Sequence, residues 1–247
     1  MDLSVRYGPE PDQLADVFLP ATTTPAPLVV LLHGGSWRPE VDRGYVEPLA
    51  RGLARDGFAV ANVEYRRPGA GGGWPETFTD TGLAVDTVPG LIEAAAPGRV
   101  DPKRLVVLGH SAGGTLALWA AHRPGAPGVV ALAPVAGLAD AHRRDPEGPV
   151  EQLLGGGPDE VPDRYAEVDP TALGTPPGPV VVFHGEVDSA LPVRLSREYA
   201  AATGAELVLV PGADHLDVVV ADGPAWPALV DAITKLSTVE VSTVERS

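Results

Sequence analysis

The sequence predicts an α/β domain with a mostly parallel central sheet and helices on both faces. Short, mainly apolar runs recur along the 247 residues, and each run ends in turn residues that lead into a helical pattern. Strands that are apolar at every position are typical of parallel sheets buried on both faces. With 44% hydrophobic and 21% charged residues, the chain can form the full core that such a domain requires.

Six apolar runs are predicted as the strands of this sheet: residues 28–32, 58–63, 104–108, 129–132, 179–183 and 207–210. Residues 16–19, ahead of the first run, are predicted as an added antiparallel strand at the edge of the sheet. The predicted helices cover residues 45–54, 78–96, 115–121, 193–203 and 225–236, where apolar residues recur three and four positions apart. Pro89 and Gly90 should kink or divide the second of these helices.

Residues 1–236 are predicted to form one domain, and the alternation of strands and helices breaks down inside it. Residues 134–178 contain seven prolines after Pro134 and a run of three glycines. A structureless loop of this length is unusual in a compact domain, so we expect a lid-like or cap-like insertion. Residues 237–247 are predicted to be a polar C-terminal tail.

Composition excludes several classes of function. The chain has no cysteine, which excludes disulfides, thiolate metal sites and a cysteine nucleophile. A net charge of −15 argues against a nucleic-acid partner, since binding phosphates requires clustered Lys and Arg. The N-terminus lacks the pattern of a signal peptide, and no apolar run is long enough to span a membrane. We therefore expect a cytoplasmic protein without a membrane partner; the sequence leaves its oligomeric state open.

A candidate nucleophile lies in the sequence Gly-His-Ser-Ala-Gly at positions 109–113. The motif follows a predicted strand and precedes a predicted helix, which is the context of a nucleophile elbow. Glycines on both sides of Ser111 permit the sharp turn that would lift its hydroxyl above the sheet. The alternative without a catalytic role is a tight strand–helix turn with an exposed serine.

A serine hydroxyl needs a base, and the base needs an acid to orient it. Of six histidines, His215 follows the last predicted strand in a loop, so we predict it as the base. Asp188 follows the preceding strand and is predicted as the acid, with Glu186 as the reserve candidate. His33 and His184 are predicted to form structural hydrogen bonds.

The sequence His-Gly-Gly-Ser-Trp at positions 33–37 follows the first apolar run. Acyl transfer passes through an oxyanion, which backbone N–H donors stabilise. We predict that the amides of Gly35, Ser36 and Ala112 supply them. Trp37 is predicted either to form a wall of the pocket or to pack in the core.

With these motifs placed, the chain resembles serine hydrolases of the α/β-hydrolase superfamily from about residue 14 to residue 236. The sequence at 33–37 is similar to that of kynurenine formamidases and small esterases, although Ser36 replaces a glycine of the lipase-type pattern. The order Ser111, Asp188, His215 matches the superfamily. The resemblance implies a Ser–His–Asp triad, an oxyanion hole and no metal or organic cofactor.

Substrate preference is the least constrained prediction. Trp37, Arg66, Trp74 and Leu216 are expected around the pocket, where Arg66 and Arg67 would bind a substrate carboxylate or, alternatively, form surface ion pairs. We predict a carboxylesterase or amidase acting on small-molecule esters or amides through an acyl-enzyme. An arylformamidase, an acyl-peptidase and an acyltransferase are alternatives on the same fold, and a catalytically silent binding protein is the alternative that is not an enzyme.

Overall fold

A computed structural model describes residues 1–238, and one eight-stranded sheet lies at its centre. The predicted tail at 237–247 falls outside the described residues, apart from its first two. The strands, in chain order, are β1 Leu3–Arg6, β2 Leu14–Phe18, β3 Ala26–Leu32, β4 Ala59–Val63, β5 Val100–His110, β6 Gly128–Leu132, β7 Val180–Gly185 and β8 Glu206–Val210. Their spatial order is β1-β2-β4-β3-β5-β6-β7-β8.

The sheet is parallel from β4 through β8 and antiparallel at its first two strands. This confirms the predicted α/β class and all six apolar strands. The predicted antiparallel strand near the start is also present, but its position at the edge is wrong. β1 pairs outside β2 and forms the edge itself. In β1 the exposed Ser4 and Arg6 alternate with the apolar Leu3 and Val5, so this strand lacks the continuous apolar run that identifies the other strands.

In the described part of the chain, some helices cover the faces of the sheet and others form the segment between β6 and β7. They are α1 Glu47–Arg55, α2 Glu76–Ala95, α3 Ala112–Ala120, α4 Leu138–Arg144, α5 Pro149–Leu154, α6 Pro162–Val168, α7 Pro170–Leu173, α8 Arg194–Thr203 and α9 Trp226–Leu236. Short 3-10 turns lie at Arg43–Val46 and Asp217–Val219. Pro89 lies inside α2 without dividing it, so that predicted division is wrong.

Two hydrophobic clusters, one on each face of the sheet, form the core. In β3, Leu28, Val30 and Leu32 belong to one cluster, and Val29 and Leu31 belong to the other. Side chains alternate between faces along a strand, so this division shows that both faces of β3 are covered. Helices α2, α3 and α8 contribute to the first cluster, and α1 and α9 contribute to the second.

The segment 134–178 folds into the four short helices α4 to α7. Leu138, Val150, Leu153 and Val168 from these helices are buried in the first cluster. The segment is therefore packed onto the core rather than structureless. In residues 1–238 no helix is both long and apolar enough to cross a membrane.

The parallel arrangement decides where the motifs meet. The loops that follow β3, β5, β7 and β8 all leave the sheet at the carboxyl ends of parallel strands, which lie at one edge. Open α/β sheets bind their ligands at this edge.

Candidate active site

Ser111 lies in a sharp turn between β5 and α3, with φ +54° and ψ −117°. A positive φ at a non-glycine residue is strained, and such residues concentrate at functional sites. The two flanking glycines make the turn possible. A Cβ on Gly109 would lie 2.1 Å from the carbonyl oxygen of Gly113, and a Cβ on Gly113 would lie 2.2 Å from that of Leu32. Any larger residue would therefore push apart the strand, the turn and the helix.

His215 lies in the loop after β8 and reaches Ser111 across the top of the sheet. Its Nε2 is 3.0 Å from Ser111 Oγ, and its Nδ1 is 2.7 Å from Asp188 Oδ2. Because a carboxylate only accepts, Nδ1 carries the proton and Nε2 is free to accept the hydroxyl proton of Ser111. The structure thus brings together the three residues predicted as nucleophile, base and acid.

Asp188 is held in the loop after β7 by several donors. Its Oδ1 accepts the N–H groups of Ala190 and Leu191, and its Oδ2 lies 3.2 Å from His184 Nε2 as well as against His215. Burial opposes ionisation of this side chain. The hydrogen bonds from His184, His215 and the Leu191 N–H outweigh it and hold the pKa of Asp188 below its ordinary value. Asp188 is therefore a carboxylate, whereas the reserve candidate Glu186 is exposed and does not contact His215.

A second aspartate, Asp214, joins the loop of Asp188 to the loop of His215. Asp214 accepts the backbone N–H and the hydroxyl of Ser189, and it also accepts the N–H of His215. The Ser189 N–H, followed by that of His215, lowers the pKa of Asp214. This aspartate fixes the spacing of the two loops, on which the distance from His215 to Asp188 depends.

His110, next to Ser111 in the sequence, hydrogen-bonds to the loop of His215. Its Nε2 donates to the carbonyl oxygen of His215 at 3.1 Å, and its Nδ1 accepts from the Tyr45 hydroxyl at 2.9 Å. Burial is the main cause that lowers the pKa of His110 to about 3, and the neighbouring His215 imidazole lowers it further. His110 is therefore neutral and connects the turn at Ser111 with the loop of His215.

The glycine-rich loop after β3 passes directly over Ser111. A Cβ on Gly34 would lie 3.2 Å from Ser111 Cβ. Gly35, Ser36 and Trp37 follow with φ of +105°, +54° and +54°. Ser36 thus occupies the backbone region that favours the glycine of the lipase-type pattern. Within residues 1–238, the N–H groups of Ser36 and Ala112 have no hydrogen-bond acceptor, as expected of donors kept for a ligand.

A cavity of about 260 Å³ opens beside this loop. Ser36 and Trp37 form one wall, Ala190 and Leu191 from the loop of Asp188 form another, and α4 and α5 close the third. Trp37 is 2% exposed and belongs to the core cluster as well. It therefore has both roles that the sequence allows, core packing and lining a cavity.

A family model, BD-FAE, matches residues 15–202, which is most of the chain. The chain belongs to the BD-FAE family.

Known proteins similar to this BD-FAE chain include esterases. The probable carboxylic ester hydrolase LipM of Mycobacterium tuberculosis is 28% identical over 72% of this chain, which spans only 44% of LipM. The protein YfhR of Escherichia coli K12 is 25% identical over 85% of this chain and 76% of its own length. A truncated carbohydrate esterase from gut microbiota superposes with a TM-score of 0.79 at 21% identity, covering 96% of this chain and 97% of that one.

These findings confirm the predicted α/β-hydrolase fold and the resemblance to esterases. The finer resemblance of this BD-FAE chain to kynurenine formamidases stays a prediction. Over the residues that the structure describes, no group of three or more His, Asp or Glu side chains is arranged to hold a metal ion.

Three predicted substrate-binding residues lie in different surroundings. Arg66 makes a two-pronged ion pair with the buried Asp80 of α2, at 2.7 and 2.8 Å. Of the two alternatives for Arg66, an ion pair or a substrate carboxylate, the structure has the ion pair, because the guanidinium is already bonded to Asp80. Trp74 lines a separate cavity of about 370 Å³ with Phe78 and Trp119. Leu216, next to His215, is 56% exposed.

Several polar residues that sequence reasoning missed surround the site of this BD-FAE protein. His110 and Tyr45 support the loop of His215, and Glu64 lies under the glycine-rich loop. The sequence does contain a pattern that could have identified Glu64. It is a charged residue directly after the apolar strand β4, at the same edge of the sheet as the other motifs. The hydrogen-bond partner of Glu64 is His33, which lies 31 residues away in the sequence.

Proposed function

We propose that this BD-FAE protein hydrolyses carboxylic esters of small substrates through an acyl-enzyme on Ser111. The observation that carries the proposal is the continuous hydrogen-bonded path from Ser111 Oγ to His215 and on to the buried carboxylate of Asp188. It lies at a strained turn below unpaired backbone N–H groups, and the family match and the esterase relatives support the same chemistry.

The reaction follows from these positions. His215 Nε2 takes the Ser111 proton as Ser111 Oγ attacks the ester carbonyl carbon, and the carbonyl oxygen becomes an oxyanion facing Gly35, Ser36 and Ala112. When the ester C–O bond breaks, His215 gives its proton to the departing alcohol. Water then attacks the acyl-enzyme by the same route and releases the acid. Asp188 stabilises the imidazolium in both halves.

The first experiment tests the triad. Ser111→Ala should abolish hydrolysis of p-nitrophenyl acetate and labelling by a fluorophosphonate probe, because the attacking oxygen is gone. Asp188→Asn should lower kcat by roughly 10⁴-fold, since the amide supports the wrong tautomer of His215. Glu186→Gln is the matched control, because this exposed neighbour does not contact His215, and it should keep wild-type rates. Turnover or labelling that persists in Ser111→Ala would refute the assignment.

The size of the cavity predicts the acyl preference. About 260 Å³, lined mainly by Val, Ala, Leu and Pro side chains, suits a short acyl or small alcohol group. In a p-nitrophenyl series from acetate to decanoate, kcat/KM should be highest for the short esters and fall for the long ones. Rates that rise up to decanoate would contradict a small pocket.

Arylformamidase activity is the alternative, and the same assays include N-formylkynurenine. The two arginines expected to bind its carboxylate, Arg66 and Arg67, are ion-paired with Asp80 and Asp12 respectively. Turnover of this formamide without hydrolysis of any ester would replace the esterase proposal.

A further inference from the structure

The side chain of His33 lies fully buried beneath the glycine-rich loop, outside the path of proton transfer. Its Nδ1 is 2.8 Å from the carbonyl oxygen of Gly34, and its Nε2 is 2.8 Å from Glu64 Oε1. The ring stacks on Tyr65, with ring centres 4.3 Å apart and planes 12° apart. The imidazole is thus held at both nitrogens and on one face.

Both partners of the His33 ring are hydrogen-bond acceptors. A carbonyl oxygen only accepts, so Nδ1 donates to Gly34. Burial opposes ionisation of Glu64, but hydrogen bonds from His33 and the Arg43 N–H, with the charge of Arg67, lower its pKa below the ordinary value. Nε2 therefore lies against a carboxylate, 2.8 Å from Glu64 Oε1.

Ion pairs around Glu64 complete this arrangement. Arg67 Nη1 lies 3.2 Å from Glu64 Oε1, and Arg43 Nη1 lies 3.6 Å from Glu64 Oε2. Arg43 and Arg67 also pair with Asp16 and Asp12. A buried charge is stable only when it is paired and hydrogen-bonded, and Glu64 meets both conditions. Glu64 is therefore a rigid anchor for the imidazole.

The bond to Gly34 fixes the direction of the next N–H group. A trans peptide is planar, so its C=O and N–H point to opposite sides. When His33 holds the Gly34 carbonyl, the N–H of Gly35 is directed away from the imidazole. Gly34 itself lies against Ser111, and glycines on both sides of this peptide allow it to rotate at little cost. Without the imidazole, nothing else among the described residues bonds to this carbonyl.

We propose that His33, anchored by Glu64, is a positioning residue that holds the Gly34–Gly35 peptide with the Gly35 N–H facing the oxyanion. The role rests on the proposed esterase function. It assigns chemistry to a buried His–Glu pair that touches neither Ser111 nor His215.

The test compares two variants of the same buried cluster. His33→Phe keeps the stacking on Tyr65 but cannot donate to Gly34. Tyr65→Phe removes only the hydroxyl that bonds the His33 carbonyl oxygen at 2.7 Å and leaves the Gly34 bond intact. Rates are normalised to active sites titrated to completion with a fluorophosphonate, so that loss of folded protein does not count as loss of catalysis.

We expect His33→Phe to lower kcat for p-nitrophenyl acetate by about 10- to 100-fold. Removing one oxyanion donor costs about 10²- to 10³-fold in kcat, and a misdirected donor loses much of that rate enhancement. KM should change less than about threefold, because the bound substrate in its ground state interacts only weakly with the oxyanion hole. The Ki of a phenylboronic acid, whose tetrahedral adduct places an oxygen in the hole, should rise in parallel. Tyr65→Phe should keep kcat per active site.

Two results would overturn the role: wild-type kcat per active site in His33→Phe, or an equal loss in Tyr65→Phe. If His33→Phe does not fold, Glu64→Asp is the substitute variant, because it withdraws the carboxylate from His33 Nε2. It should lower kcat while KM stays unchanged. An unchanged kcat in Glu64→Asp would also overturn the proposed role of His33. Failure of the esterase function is separate, because the wild-type protein would then neither turn over esters nor take up the probe.

Discussion

At the scale of single residues, the site depends on backbone positions that most side chains cannot occupy. Ser111, Ser36 and Trp37 all have positive φ without being glycine, and they lie within two adjoining loops. Strain of this kind persists only where surrounding structure enforces it. Here the enforcing contacts are the close approach of Gly113 to the end of β3 and the close approach of Gly34 to Ser111.

Gly113→Ala tests the close approach. Its Cβ would lie 2.2 Å from a backbone oxygen, so the variant should lose several kcal/mol of unfolding free energy and most esterase activity. Gly90→Ala is the matched control. That glycine is an exposed position of α2 with no atom within 4 Å of the added Cβ, and the change should stabilise the protein by about 1 kcal/mol. Urea unfolding measures both, and a Gly113→Ala protein of normal stability would contradict the packing argument.

At the scale of elements, the loops after parallel strands carry the chemistry, and contacts from helices hold those loops. The loop after β4 is tied to α2 by Arg66 and Asp80, and Gln13 donates to the same carboxylate at 2.6 Å. The strands were predictable because an apolar run is a local pattern. The partner of Arg66 was not, because Asp80 lies in another element and nothing local distinguishes it from other acidic residues of the chain.

Arg66→Met tests whether this arginine is structural or binds substrate. Because it leaves the buried Asp80 without its main partner, we expect a loss of about 2–4 kcal/mol in unfolding free energy. KM should not change for an ester that carries a carboxylate. Arg51→Met, which breaks an exposed pair with Glu47, is the control and should cost less than about 1 kcal/mol. Normal stability together with a raised KM would support the substrate-binding prediction instead.

At the scale of the whole molecule, stability should depend on pH through buried groups near the site. His110 has a pKa of about 3 in the folded protein and near 6.5 when unfolded. Above pH 6.5 both states are neutral, so the group has no effect. As the pH falls from 6.5 towards 3, the unfolded chain binds a proton that the folded protein does not, and stability is lost. Asp188, whose pKa is lowered, adds a further loss only below about 3.8.

We therefore expect the unfolding free energy to fall between pH 6.5 and 4, with His110 contributing a slope of up to about 1.4 kcal/mol per pH unit. His110→Gln should flatten the slope, although His122, whose pKa burial also lowers, keeps a part of it. Urea unfolding at a series of pH values measures this. A variant with the wild-type slope would show that His110 is not the group responsible.

The sequence by itself determined the six apolar strands, the elbow around Ser111 and the order Ser111, Asp188, His215, since these are local patterns of apolar runs, glycines and strand ends. Only the tertiary structure decided that β1 rather than β2 forms the edge of the sheet, and it placed Asp188, the acid that the sequence predicts, against His215. It likewise showed Glu64 beneath His33 and Arg66 on Asp80. Each of these depends on which distant segments meet, and that is set by packing of the whole sheet and its helices rather than by any short stretch of the chain.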